Sequence, residues 1–115
     1  MLRNSDMAAP RFIYHIVFTD EWDRQKDNTT YSTSTFEDEG FIHCSKVEQI
    51  SGTLKRFFRN RTDIRILKID TTLLDAPILY EAADDGSGFF PHIFGSICMQ
   101  AIVEVEMPQG YRRDK

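Results

Sequence analysis

Cysteine is scarce in this chain. Cys44 and Cys98 are the only two in 115 residues, too few for a disulfide framework. Both have apolar neighbours, the usual setting of buried free thiols, so both are expected to be reduced. No uninterrupted apolar segment follows the early charges, so no signal peptide is expected. No apolar run approaches transmembrane length. These absences imply a reducing, cytoplasmic-type compartment and no membrane partner. An excess of positive charge is lacking as well. The net charge of -4 argues against a general nucleic-acid binder, which usually carries a basic face. A local basic cluster, Lys55, Arg56, Arg59, Arg61 and Arg65, reads as the solvated face of a helix and the loop after it, in preference to a phosphate-binding patch. Phosphate-loop, GxGxxG and GxSxG motifs are absent, and so are repeats and low-complexity segments.

What remains is an ordinary globular composition, 41% hydrophobic and 28% charged, which at this length implies one domain with one core. The domain is expected over residues 11–107, with a flexible tail over 1–10 and a polar tail over 108–115. Phe12 to Phe18 reads as a buried strand. Thr19 is the expected N-cap of a short helix through Trp22 to Lys26. DNTTYSTSTFEDEG reads as a long irregular connection, docked by Tyr31 and Phe36. Phe41 to Cys44 reads as a short strand. Ser45-Lys46-Val47-Glu48 then fits a capping box, and Val47, Ile50, Leu54, Phe57 and Phe58 follow at helical spacing. IRILKID, ILYEA, FFPHI and AIVEVEM read as further strands, the last with Ile102 or Val103 and Val105 turned inward. The later connections are too short for helical crossovers, so the fold class is α+β with a mixed or antiparallel sheet and short helices.

The chain's three histidines each stand in an apolar run: His15 in FIYHIVF, His43 in GFIHCS and His92 in FFPHIFG. A single buried histidine is ordinarily a satisfied hydrogen-bonding group. Three of them, two followed at once by a break at Ser45 and Gly95, point to a site built at strand ends. Neutral imidazoles suit zinc, but HxH and HExxH spacings are lacking, and no metal is expected. Glu81 stands in the apolar strand ILYEA, where a carboxylate needs a partner or an exposed edge. A carboxylate and imidazoles beside aromatic rings suit cleavage of a ribosyl bond, which passes through an oxocarbenium-like state. Histidine holds a ribose hydroxyl or a carboxamide, and Phe or Tyr stacks on a flat ring. Cys44 cannot pair with His43 as nucleophile and base, because neighbours on a strand face opposite ways. Ser45 shares the His43 face, although capping explains it first.

FIYHIVFTDEW, EGFIHCS with Gln49 in the helix after it, LKIDTTLLDAPILYE and FPHIFG together resemble the DUF952 family of small uncharacterised proteins, over Phe12 to Val105. The resemblance implies a fold related to the ADP-ribosyltransferases, a split α+β structure that binds NAD in a cleft between two small sheets. It implies that His15 orients the ribose from the first strand and that His43 lines the nicotinamide pocket just before a helix. The third position, on a later strand, is shared between His92 and Glu81. The catalytic set is therefore His15, His43, Glu81 and His92, and the ligand-contacting set His15, His43, Ser45, Tyr14 and Phe90. The expected activity is ADP-ribosyl transfer from NAD or a related nucleotide to an acceptor of unspecified class. A catalytically silent nucleotide-binding module of the same fold is the alternative. A metal-dependent hydrolase built on the three imidazoles is the reading from another class.

Overall fold

The computed structural model describes residues 9–112, so the tail expected over 1–10 lies mostly outside the described residues. The first strand, β1 (Phe12–Phe18), and β4 (Ile64–Asp70) pair antiparallel from Phe12↔Asp70 to Phe18↔Ile64. β8 (Ile102–Glu106) lies on the far side of β4, giving the order β1-β4-β8. A second three-stranded sheet has the order β3-β6-β5, from β3 (Ile42–His43), β6 (Phe89–Ile93) and β5 (Ile78–Ala82). A third, of two strands, pairs β2 (Thr30–Tyr31) with β7 (Ile97–Cys98). All these pairings are antiparallel, although only β5 and β6 are neighbours in sequence joined by a short connection.

The central strand β4 has Ile64, Ile66, Leu67 and Ile69 fully buried, because both faces of its sheet are covered. Ile64 and Ile66 pack with Tyr14 against Ile50 and Leu54 of α3 (Ile50–Phe57). Leu67 and Ile69 pack on the other face with Ile13, Trp22, Tyr31, Ile42 and Ile93. Trp22 comes from α1 (Thr19–Gln25), and the short α2 (Phe36–Glu39) sets Phe36 against the same core. Gly40 ends α2 at φ +83, a left-handed conformation that glycine adopts without strain.

Several expectations are corrected. Thr19 is the first residue of α1 rather than its cap. Its N–H donates to Asp63 O at 2.8 Å, and its hydroxyl is buried without a partner. Ser45 does not cap the next helix, because its backbone is already paired with β1. The turn Val47–Gln49 precedes α3, and its start is satisfied by Lys46 N–H donating to Gln49 Oε1 at 2.8 Å. Val47 and Phe57 are exposed: Val47 lies in the turn before α3, and Ile50 and Leu54 are the helix residues that are buried. Val103 and Val105 are exposed too, and only Ile102 of β8 packs on the core. The segment read as a polar tail forms a single turn over Pro108–Tyr111, with the Tyr111 ring edge-on to Tyr14 at 6.2 Å. Residues 113–115 of that segment lie outside the described residues. No helix among the described residues is long and apolar enough to cross a membrane.

Candidate functional site

The period-two geometry of a strand explains why GFIHCS contains a histidine. Ile42 and Cys44 turn into the core, where both are buried. His43 turns the other way and is paired in register with His92 on β6. Phe90 and Glu81 are cross-strand partners on that same face. The outward face of the β3-β6-β5 sheet is therefore polar and aromatic, while Ile42, Ile93 and Pro91 back it from inside. Phe41, two residues before His43, stacks on the His92 ring at 4.3 Å and 18°. The His43 ring meets His92 edge-on at 4.9 Å.

His92 Nδ1 and Glu81 Oε1 are 2.6 Å apart. A carboxylate only accepts, so Nδ1 carries a proton, and in the neutral ring Nε2 presents its lone pair. Glu81 is half exposed, and its second oxygen has no partner among the described residues. His43 is the more open of the two imidazoles, with Nε2 3.5 Å from Glu39 Oε1.

His15 differs from both. It is buried, and its Nδ1–H donates to the His43 carbonyl at 2.6 Å. Its Nε2 accepts from the Tyr31 hydroxyl at 2.9 Å. The carbonyl fixes this tautomer, since it cannot donate. Burial pushes the imidazole pKa down to about 4 and the Tyr31 phenol well up. His15 is thus neutral near pH 7 with neither nitrogen left for a ligand. Beside it, Tyr14 and Ser45 exchange two backbone hydrogen bonds, at 2.8 and 2.7 Å, which join β1 to the end of β3. The Ser45 hydroxyl lies 3.2 Å from Thr53 Oγ1 of α3. Burial raises the pKa of the Tyr14 phenol.

One cleft of about 860 Å³ is lined by all seven residues singled out from sequence: Tyr14, His15, His43, Ser45, Glu81, Phe90 and His92. Sequence reasoning missed several neighbours in it. Phe41 carried a usable signal, its two-residue spacing from His43. Arg56 was absorbed into the basic cluster, and Phe57 was read as one more member of the apolar helix face. Asp85 lay in a segment, ADDGSG, whose composition said only loop. Tyr31, the second partner of His15, lies across an irregular connection where no spacing rule applies. Cys44 backs the sheet, and burial pushes its thiol pKa far up, so it is no nucleophile. Both cysteines are free thiols. With the His15 nitrogens engaged, two imidazoles face the cleft. Among the described residues no group of three His, Cys, Asp or Glu side chains is arranged to hold a metal ion.

The family described as "Protein of unknown function (DUF952)" matches residues 16–105. This chain belongs to the DUF952 family. The matched span holds His43, Ser45, Glu81, Phe90 and His92, with Tyr14 and His15 just before it. The DUF952 chain is similar to the crystal structure of protein CC0527 from Caulobacter crescentus, at 26% identity and a TM-score of 0.72, over 84% of each chain. It is also similar to the solution structure of the same protein, at 25% identity and a TM-score of 0.71, over 87% of this chain and 93% of that one. No curated protein matches it.

Proposed function

We propose that the cleft binds NAD or a related nucleotide and transfers its ADP-ribosyl group, in the manner of an ADP-ribosyltransferase-like fold. The observation that carries the reading is the Glu81–His92 hydrogen bond at 2.6 Å on the wall of an aromatic-lined cleft. It makes a unit of the two residues that sequence offered as alternatives for one position. In the proposed reaction the glycosidic C–N bond of the nicotinamide riboside breaks, and its electron pair leaves on nicotinamide. The acceptor's nucleophile forms the new bond to the same ribosyl carbon, and its proton passes to His92 Nε2. Glu81 supplies negative charge beside the carbon as positive charge builds. The exposed His43 edge offers a hydrogen bond to the carboxamide or to a ribose hydroxyl.

Calorimetric titration with NAD and assay of released nicotinamide test this. Wild type is expected to bind NAD and to release nicotinamide. Glu81→Gln should lower release about 100-fold or more, the scale of a lost electrostatic partner in a transition state, with little change in a urea melt. His43→Ala should weaken binding by about 1–3 kcal/mol, the scale of a hydrogen bond left unmade in a desolvated site. Absence of NAD binding at millimolar ligand removes the NAD assignment. Binding without turnover selects the silent nucleotide-binding module. One observation favours that second reading: His15 keeps both nitrogens inside the protein, so the ribose contact implied for it is not on offer.

A further inference from the structure

The cleft has a second wall that the proposed transfer chemistry does not use. α3 brings Arg56 and Phe57 to it, and the connection from β5 to β6 brings Asp84 and Asp85. Among the described residues, Arg56 is the one lysine or arginine lining the cleft, against the three carboxylates Glu81, Asp84 and Asp85. Without that cation the wall would repel any phosphate.

The guanidinium is held across the gap by a solvent-exposed partner. Arg56 Nη1 donates to Asp85 Oδ2 at 2.5 Å and lies 3.4 Å from Ser87 Oγ. Nε and Nη2 have no partner among the described residues, so the rest of the fork is open. Both side chains of the ion pair are about half exposed, at 43% and 48%, and exposed pairs of this kind hold loosely. Asp85 is the fixed member. Its Oδ1 accepts Ser87 N–H at 2.9 Å, in a turn whose Gly86 and Gly88 take φ +79 and +121. Arg56 is the movable member, on a flexible stem. Phosphate oxygens match the guanidinium fork in two-point contact and carry more charge than one carboxylate. The Phe57 ring, 68% exposed and 5.8 Å from the guanidinium, stands beside it with an open face.

We propose that Arg56 is the phosphate receptor of the cleft, surrendered by Asp85 when a phosphorylated ligand enters, so that the cleft selects nucleotides over nucleosides. This rests on the nucleotide-binding reading above and specifies its ligand class. It also reverses the solvated-face reading for one member of the basic cluster.

The test is calorimetric titration of the full chain with ADP-ribose and with adenosine, on wild type, Arg56→Gln, Arg56→Lys and Asp85→Asn. Wild type should bind ADP-ribose about ten- to a hundred-fold more tightly than adenosine, the range for a charged hydrogen-bonding contact. Arg56→Gln should erase that preference and leave adenosine affinity unchanged, with Arg56→Lys between the two. Asp85→Asn keeps an oxygen for Ser87 N–H but frees the guanidinium. It should tighten ADP-ribose about two- to five-fold, the strength of the exposed pair it removes, and leave adenosine unchanged. A gain of affinity cannot come from misfolding, so this arm stands even if Arg56→Gln is unstable. Undiminished ADP-ribose affinity in Arg56→Gln, or equal weakening of both ligands, overturns the phosphate role alone. Wild type that binds ADP-ribose but not NAD overturns the NAD assignment and leaves the phosphate receptor in place. Wild type that binds none of the three overturns both.

Discussion

An imidazole enclosed by its own protein is costly to charge, and His15 offers a direct measurement of that cost. Unfolded, it takes up a proton near pH 6.5; folded, burial delays protonation to about 4. Above 6.5 both states are neutral and the group contributes no slope. Between 6.5 and about 4 the unfolded state alone gains the proton, so stability falls as pH falls through that window. At about 1.4 kcal/mol per pH unit, the loss by the lower end is on the order of 3 kcal/mol. His15→Gln removes the titration. Urea melts across the window should show the wild-type advantage over this variant shrinking as pH drops. Parallel loss in both proteins would show that another group titrates. At this scale the sequence was legible wherever a strand's alternation did the sorting. His43 and Cys44 had to face opposite ways, and they do. The fate of His15 was not legible, because the Tyr31 hydroxyl that occupies its Nε2 belongs to a distant loop-borne strand.

Strong local signals located the elements, and tertiary contacts moved their ends. β1, β4, β5 and β6 were legible from apolar runs bounded by turn residues. The two-residue strands β2 and β7 were not, whereas β3, equally short, showed through the apolar run around His43. At the start of α3 the S-x-x-E pattern gave way because Ser45 is held by Tyr14 through both backbone groups. Gln49 takes over instead. Its Oε1 accepts Lys46 N–H, and its Nε2 donates to Phe89 O at 2.9 Å, tying the helix start to the start of β6. Gln49→Ala should therefore cost about 1–2 kcal/mol, the sum expected for a lost cap and a lost exposed hydrogen bond. Ser45→Ala, which gives up only the long contact with Thr53, should cost less than about 1 kcal/mol. Urea melts of the two variants decide the matter, because a Ser45 capping box requires the opposite order.

Across the whole molecule, His15 joins all three sheets. It stands on β1 of the first, bonds the carbonyl of His43 on β3 of the second, and accepts from Tyr31 on β2 of the third. The cleft lies along the seam between the first two, so the placement of His43 depends on this three-way contact. If the Tyr31 hydroxyl acts through His15, its removal has a sign that depends on what stands at position 15. In wild type, Tyr31→Phe leaves a buried imidazole nitrogen unpaired, which should cost about 1–3 kcal/mol. In a His15→Leu background the Tyr31 hydroxyl is itself the unpaired group, and replacing both partners by apolar side chains is close to neutral. Tyr31→Phe should then be neutral or stabilising. Urea melts of the four proteins in this double-mutant cycle measure the coupling. An equal cost in both backgrounds would mean that the hydroxyl works elsewhere and that the seam is held by the Tyr14–Ser45 bridge without it. A change of sign would make the imidazole a structural pin, whose service to the site is to hold the His43 backbone where β3 meets β1.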